Sequence, residues 1–219
     1  MLVSQLSITH HPAIQFTDKI YTAIQLMEDY DVQHLPVVNN DQFAGMLVKA
    51  DLLEMDEEAA VQLLENRLIR QAVLDTAFFT EAIKIANLHQ LSLVAVVNEQ
   101  QQLSGTLTLE ALLRAVGQFM SVEEPGGIIV LELDKRHYSF GEISRLVETN
   151  DAYITQLNTS VDAETGLTRV FIKINKYEIS DVVSTFQRYD YNVLYFFGEQ
   201  LYENELKQNY DLLMTYLRV

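Results

Sequence analysis

Apolar positions in this chain fall into a pattern that is used twice. Short apolar runs at 34–38 and 43–48 flank a polar turn at 39–42, and a helix start follows at once, so 34–53 reads as a hairpin running into a helix. The stretch 92–113 repeats the plan. A shift of 59 positions places Ala13 on Ala72, Thr17 on Thr76, Ala23 on Ala82, Ile24 on Ile83, Val37 on Val96 and Asn39 on Asn98. Beyond the turn the shift is 60 and pairs Gly45 with Gly105, Leu47 with Leu107 and Leu53 with Leu113, so the second copy carries one extra turn residue. Loops accept such insertions readily. Two copies without a third argue for a pseudo-symmetric pair closing on one core, not an open solenoid.

The pattern around the hairpins fills in the remaining elements. Thr17 and Asp18 read as helix-start residues before a helix whose face is Ile20, Ala23, Ile24 and Met27, and Asp75 or Thr76 starts the matching helix with Phe79, Ala82, Ile83 and Ala86. The stretch 51–70 is helical in pattern and acidic early, a link between the copies. A helix over 109–120 closes the first half. Glu123-Glu124-Pro125-Gly126-Gly127 then joins a charge pair, a helix-incompatible proline and two permissive glycines, which marks a domain boundary.

After the boundary the order is strand, helix, two strands, helix, strand. A buried-strand run begins at Gly127, a helix face follows with Phe140, Ile143, Leu146 and Val147, and 152–161 alternates as a strand. Beyond the turn at 162–166, Val170, Ile172 and Ile174 point one way while Arg169, Phe171 and Lys173 point the other, as in an antiparallel strand with one buried side. Ile179, Val182, Val183 and Phe186 mark the second helix, and 191–197 the last strand. This βαββαβ order is the ferredoxin-like split βαβ. In the tail, Tyr202, Leu206, Tyr210, Leu213 and Leu217 form one stripe of an amphipathic helix too short to stand alone in water.

Composition narrows the function. The 219 residues suffice for two domains, and 48% are apolar. With no cysteine there is no disulfide framework, thiolate site or cysteine nucleophile, which fits a reducing compartment. No secretory signal pattern follows Met1 and no apolar run reaches a membrane span, so a cytoplasmic location is expected. The net charge of −16 is shared as −11 over 1–124 and −5 over 125–219, which disfavours nucleic acid and anionic membrane surfaces as partners. The histidines form no metal-binding spacing, and no nucleophile elbow, Walker loop or zinc motif appears, so neither a metal site nor an enzyme is expected.

The repeated strand-turn-strand-helix, with its paired valines, Gly45 and Gly105, and a helix start of Asp-Leu-Leu type, resembles a tandem pair of CBS domains (a Bateman module). The likeness covers 1–122, with repeats at about 1–58 and 59–122. It implies an α/β regulatory module, often homodimeric, whose interlobe clefts commonly bind AMP, ATP or S-adenosylmethionine. Residues 127–199 resemble an ACT-type domain, which commonly binds amino acids beside the loop after its first strand. Here that loop is Asp134-Lys135-Arg136-His137-Tyr138-Ser139, with Tyr138 where the family has glycine. The order of the two modules, followed by a C-terminal helix at 200–219, resembles bacterial acetoin-utilisation accessory proteins.

In the CBS family the strand after the glycine runs into Ser/Thr-x-x-Asp, whose hydroxyl and carboxylate hold phosphate and ribose. Copy one reads Val48-Lys49-Ala50-Asp51, with the carboxylate and without the hydroxyl; copy two reads Thr108-Leu109-Glu110-Ala111, with the hydroxyl and without the carboxylate. Asp51 would accept from ribose hydroxyls, Lys49 would place a cation beside it, and His34 and Pro36 sit where the family places part of the base pocket. Asp51 and Thr108 also suit a helix start without any ligand. Two readings stay open: a sensor of an adenosyl ligand that relays to the ACT-like domain or a separate regulated enzyme, and a homodimeric structural adaptor with vestigial clefts.

Overall fold

The turn residues Asn40 and Asp41 both take left-handed backbone (φ +48° and +67°), the conformation a two-residue hairpin loop requires. They join β2 (His34–Asn39) to β3 (Gln42–Val48). The matching hairpin, β5 (Leu93–Val97) and β6 (Leu103–Thr108), turns more widely. Asn98 Oδ1 accepts from the N–H groups of Gln100 and Gln102, and Gln101 takes the left-handed conformation, which accommodates the extra residue. In this computed structural model, residues 1–198 are described; the amphipathic helix expected over 200–219 lies outside the described residues.

The chain divides into two units, Met1–Phe119 and the residues from Met120 on. In unit 1 each repeat has a three-stranded sheet. β1 (Ile14–Gln15) runs parallel to β2, which pairs antiparallel with β3; β4 (Val73–Leu74), β5 and β6 repeat this. The registers match as well: Ile14 lies opposite Val37 and Val73 opposite Val96, while Val37 lies opposite Gly45 and Val96 opposite Gly105, with an irregularity after each glycine pair. Helix α1 (Ile20–Asp29) buries Ile20, Ala23 and Met27; helix α3 (Phe79–His89) buries Phe79, Ala82 and Ala86. Asp31 and Gln90, 59 apart, take the same left-handed conformation after them.

Three details differ from the sequence reading. Thr17, Asp18, Asp75 and Thr76 do not cap: the helices begin at Ile20 and Phe79, and Asp18 closes the preceding turn by accepting from the Gln15 N–H at 2.7 Å. The stretch 51–70 is not one helix. α2 (Lys49–Leu52) ends after four residues and a 3-10 turn follows at Val61–Arg67. Tertiary demand overrides the helical pattern, because Ile69 must run extended to pair with Met46 on the outer edge of β3. α4 (Leu109–Phe119) does close the unit.

The third difference concerns the N-terminus. Thr9 pairs with Thr106 on the outer edge of β6, as Ile69 pairs with Met46 on β3. Val3, Leu6 and Ile8 pack in the core of the second repeat, whereas Val61, Leu64 and Leu68 belong to the core of the first. Each repeat is thus completed by the segment that precedes the other. The glycines explain how closely these segments pass. Gly45 has φ +154°, and a Cβ there would lie 2.7 Å from Leu68 Cβ; Gly105 has φ +148°, and a Cβ would lie 2.4 Å from Ile8 Cγ2.

Unit 2 begins its sheet with β7 (Ile128–Leu133) and continues with α5 (Phe140–Glu148), β8 (Ile154–Val161), β9 (Thr168–Ile174), α6 (Ser180–Arg188) and β10 (Asn192–Phe197). The sheet order is β10-β7-β9-β8, antiparallel throughout. Alternation in β9 sends Val170, Ile172 and Ile174 to the core, where Ile143, Leu146, Val147, Val182 and Phe186 of the helices meet them. Phe140, expected on the buried face of α5, is exposed; it is the first helical residue and points away from this core.

Candidate functional site

Of the residues singled out in the sequence, all but Pro36 lie at or just beyond the ends of the two hairpins. Val48 ends β3 opposite His34, and Thr108 ends β6 opposite Leu93. A helix leaves from each of these ends. Lys49 and Asp51 lie on α2; Asp51 Oδ1 is 3.4 Å from Arg67 Nη1 and Lys49 Nζ is 3.7 Å from Glu28 Oε1, both partly exposed pairs. Exposed pairs of this kind contribute about 0–1 kcal/mol, so neither commits its side chain strongly. Thr108 is committed: its Oγ1 accepts from the Ala111 N–H at 3.1 Å and caps α4.

His34, expected to form part of a base pocket, opens β2 and is hydrogen-bonded to the second repeat. It is 6% exposed, and its Nδ1 accepts from the Ser92 backbone N–H at 3.0 Å. The proton of the neutral ring therefore sits on Nε2. Ser92 Oγ lies 2.9 Å from the same Nδ1 and 3.2 Å from the Gln33 N–H, which donates to it. Gln33 and Ser92 are equivalent positions of the two repeats, so His34 stands at the seam where the repeats meet. Burial pushes its pKa down. Pro36 is buried in the middle of β2 opposite Met46, away from the hairpin end where Val48, Lys49 and Asp51 lie.

A second histidine serves the same unit. Thr106 Oγ1 donates to Thr9 O at 3.0 Å, so it accepts from His11 Nδ1 at 2.7 Å, which fixes the other tautomer. Sequence reasoning did not single out His11, and its signal was faint: it follows the segment that completes the second sheet.

Two of the cavities that lie elsewhere adjoin residues already named. One of about 500 Å³ at the hairpin tips is lined by Asn39, Gln42, Phe43, Arg70 and Gln101 among others. The other, about 570 Å³, is in unit 2 at the end of β7, where Asp134, Arg136, Tyr138, Glu142, Tyr189 and Tyr191 contribute to its wall. Arg136 binds Asp134 through its side chain and its backbone N–H, which holds the carboxyl well below the usual range. Tyr191 donates to Glu142 Oε2 at 3.1 Å; burial first, then this bond, pushes the phenol up to about 12. The loop 134–139 was legible in the sequence, but Glu142 and Tyr191 were not, since they meet only through the fold. Among the described residues no group of three potential metal ligands gathers, and no helix is long and apolar enough to cross a membrane.

Among solved structures, the chain is similar to several that contain CBS domains. A CBS domain pair/ACT domain protein from Thermotoga maritima is 22% identical, over 55% of this chain and 99% of its own, with a TM-score of 0.50. The CBS domains of a transcriptional regulator from Streptococcus pneumoniae match at 16% identity over 52% of this chain and 98% of theirs, TM-score 0.46. The protein CBSX2, in complex with AMP, matches at 20% identity over 54% of this chain and 98% of its own, TM-score 0.43. The CBS domain family profile matches residues 3–58. Residues 3–58 thus match a CBS domain, and the mixed α/β structure is similar in fold to a CBS domain pair.

Proposed function

We propose that this chain is a non-catalytic, cytoplasmic regulatory protein whose paired repeats bind an adenosyl-type ligand, AMP, ATP or S-adenosylmethionine, and pass that event to unit 2. The observation that carries this reading is the Asp51 carboxylate, which stands at a hairpin end of a pseudo-twofold pair and, among the described residues, pairs with the partly exposed Arg67. An ionised carboxylate there can accept from both ribose hydroxyls, a stronger arrangement than its present pair at 3.4 Å. Lys49, held as loosely, supplies a cation for phosphate. We read unit 2, from its sheet order β10-β7-β9-β8, as a ferredoxin-like domain of ACT type. Self-association fits Leu53 and Leu113, equivalent positions that are 70% and 71% exposed.

The adaptor reading has its own support in Thr108, whose hydroxyl is spent on capping α4. Thermal unfolding of the intact protein with AMP, ATP and S-adenosylmethionine separates the two. A ligand that binds only the folded state, at a hundred times its Kd, adds about 2.7 kcal/mol of stability. The expected result is a rise in the unfolding midpoint with one of the three that is lost in Asp51→Ala. Flat traces with all three would overturn the sensor reading and leave the adaptor.

A further inference from the structure

We propose that the C-terminal segment 199–219 docks on the open face of the unit 2 sheet in its own chain. Among the described residues, α5 and α6 contribute to a single core, and the strand registers fix which residues point the other way. With Glu132, Arg169 and Lys173 on the same face, the uncharged ones include Ile128 and Val130 on β7, Phe171 on β9, Tyr195 and Phe197 on β10, and Asn158 and Ser160 on β8. They form a continuous apolar strip: Phe197 lies opposite Ile128, Tyr195 opposite Val130, and Val130 opposite Phe171. Tyr195 and Phe197 meet edge-on at 5.8 Å, yet they are 43% and 52% exposed. Val130 between Tyr195 and Phe171 is 1% exposed, so the centre of the strip is dry and its rim is not.

The position and length of the segment make it the occupant. β10 is an edge strand, and it ends at Phe197, two residues before the segment begins. Gly198 lies tightly against the chain, since a Cβ there would stand 2.6 Å from Tyr177 O, so the exit point is fixed beside the strip. The sequence 199–219 places Tyr202, Leu206, Tyr210, Leu213 and Leu217 at steps of three and four. Twenty-one residues of helix would reach about 31 Å, while four strands span roughly 14 Å between their outer members. In proteins most of a helix's stability comes from packing its apolar face, so such a stripe calls for a surface to cover. One corner of the face is already closed, because Lys173 Nζ donates to Ser121 O. Among the described residues, the exposed part of the strip is Ile128, Tyr195 and Phe197, and this is the part the segment would cover.

The absence of native cysteine makes the test clean. Asn158→Cys, an exposed site on the open face, is combined in the full chain with Tyr210→Cys, Leu213→Cys or Leu217→Cys, and the proteins are treated with a short bis-maleimide. The expected result is an intramolecular crosslink, of monomer mass and faster migration, in at least one pair. The same tail positions combined with Ser184→Cys, on the outer surface of α6, should give none. Crosslinks that form only between two chains, read by mixing singly substituted proteins, would overturn the proposal in favour of a second copy on this face. No crosslink in any of the three pairs would overturn it outright.

Discussion

Adding one methyl group at Gly45 or at Gly105 should damage unit 1 to a similar degree, though the two residues are 60 positions apart. In Gly45→Ala the new Cβ would lie 2.7 Å from Leu68 Cβ and 3.2 Å from Ile69 O; in Gly105→Ala it would lie 2.4 Å from Ile8 Cγ2 and 3.1 Å from Thr9 O. Carbon atoms in contact prefer about 3.5–4.0 Å, so the crossing segment must retreat by roughly 1 Å at each site. Leu68 Cβ moves only with its backbone, whereas Ile8 Cγ2 can turn about χ1. Overpacking costs about 1–3 kcal/mol and an unfavourable φ adds about 1–3 kcal/mol. We expect about 3 kcal/mol per site, which for a unit of this size lowers the unfolding midpoint by roughly 10 °C. Gly117→Ala is the control: it lies inside α4 with nothing within 4 Å of a new Cβ, and should gain about 0.5–1 kcal/mol. Calorimetry or urea unfolding monitored by circular dichroism reads all three. Midpoints for Gly45→Ala and Gly105→Ala within 2 °C of the parent would refute the close passage of both segments.

Further consequences concern the seam and the ligand. His34 has a depressed folded pKa, so below its unfolded value of about 6.5 the unfolded chain takes up a proton that the folded chain refuses; stability is full above that pH and declines as the pH drops toward the folded pKa. Urea midpoints between pH 8 and pH 5 should fall, and His34→Leu should flatten part of that slope while costing about 1–3 kcal/mol at pH 8 through the unpaired Ser92 N–H; an unchanged slope would contradict the seam assignment. Tyr191 should ionise late, near pH 12 in a spectrophotometric titration of the folded protein, and earlier in Glu142→Gln. Val48→Thr supplies the hydroxyl that the first copy lacks; one added hydrogen bond of about 0.5–1.5 kcal/mol should tighten adenosyl-ligand binding up to roughly tenfold by calorimetry, and weaker binding would speak against this hairpin end as the site.

The repeat, its glycines and nearly every strand were readable because they rest on local signals: period-two alternation in β9, a polar turn at 39–42, and a shift between copies of 59 before the turn and 60 after it. What escaped the reading depends on contacts distant in sequence. The helical pattern of 51–70 is real, but the pairing of Ile69 with Met46 outweighs it. The first residues carry no periodicity, so no local signal placed Val3, Leu6 and Ile8 in the core of the second repeat. His34 opened a strand at a position suited to a pocket; only the approach of Ser92, 58 residues away, shows that it joins the repeats. At the candidate site, the missing hydroxyl of copy one and the missing carboxylate of copy two were plain in sequence. That Thr108 caps α4 required the fold.

Everything said of unit 1 depends on each repeat being completed by the segment that precedes the other. Amide hydrogen exchange on a chain that begins at His10 tests this most directly, since it removes Val3, Leu6, Ile8 and the Thr9–Thr106 pair while leaving the first repeat's own residues in place. The expected result is a marked loss of protection in β5, β6 and α3, with β2 and β3 largely retaining theirs. Protection in β5 and β6 equal to that of the full chain would contradict the pseudo-twofold arrangement.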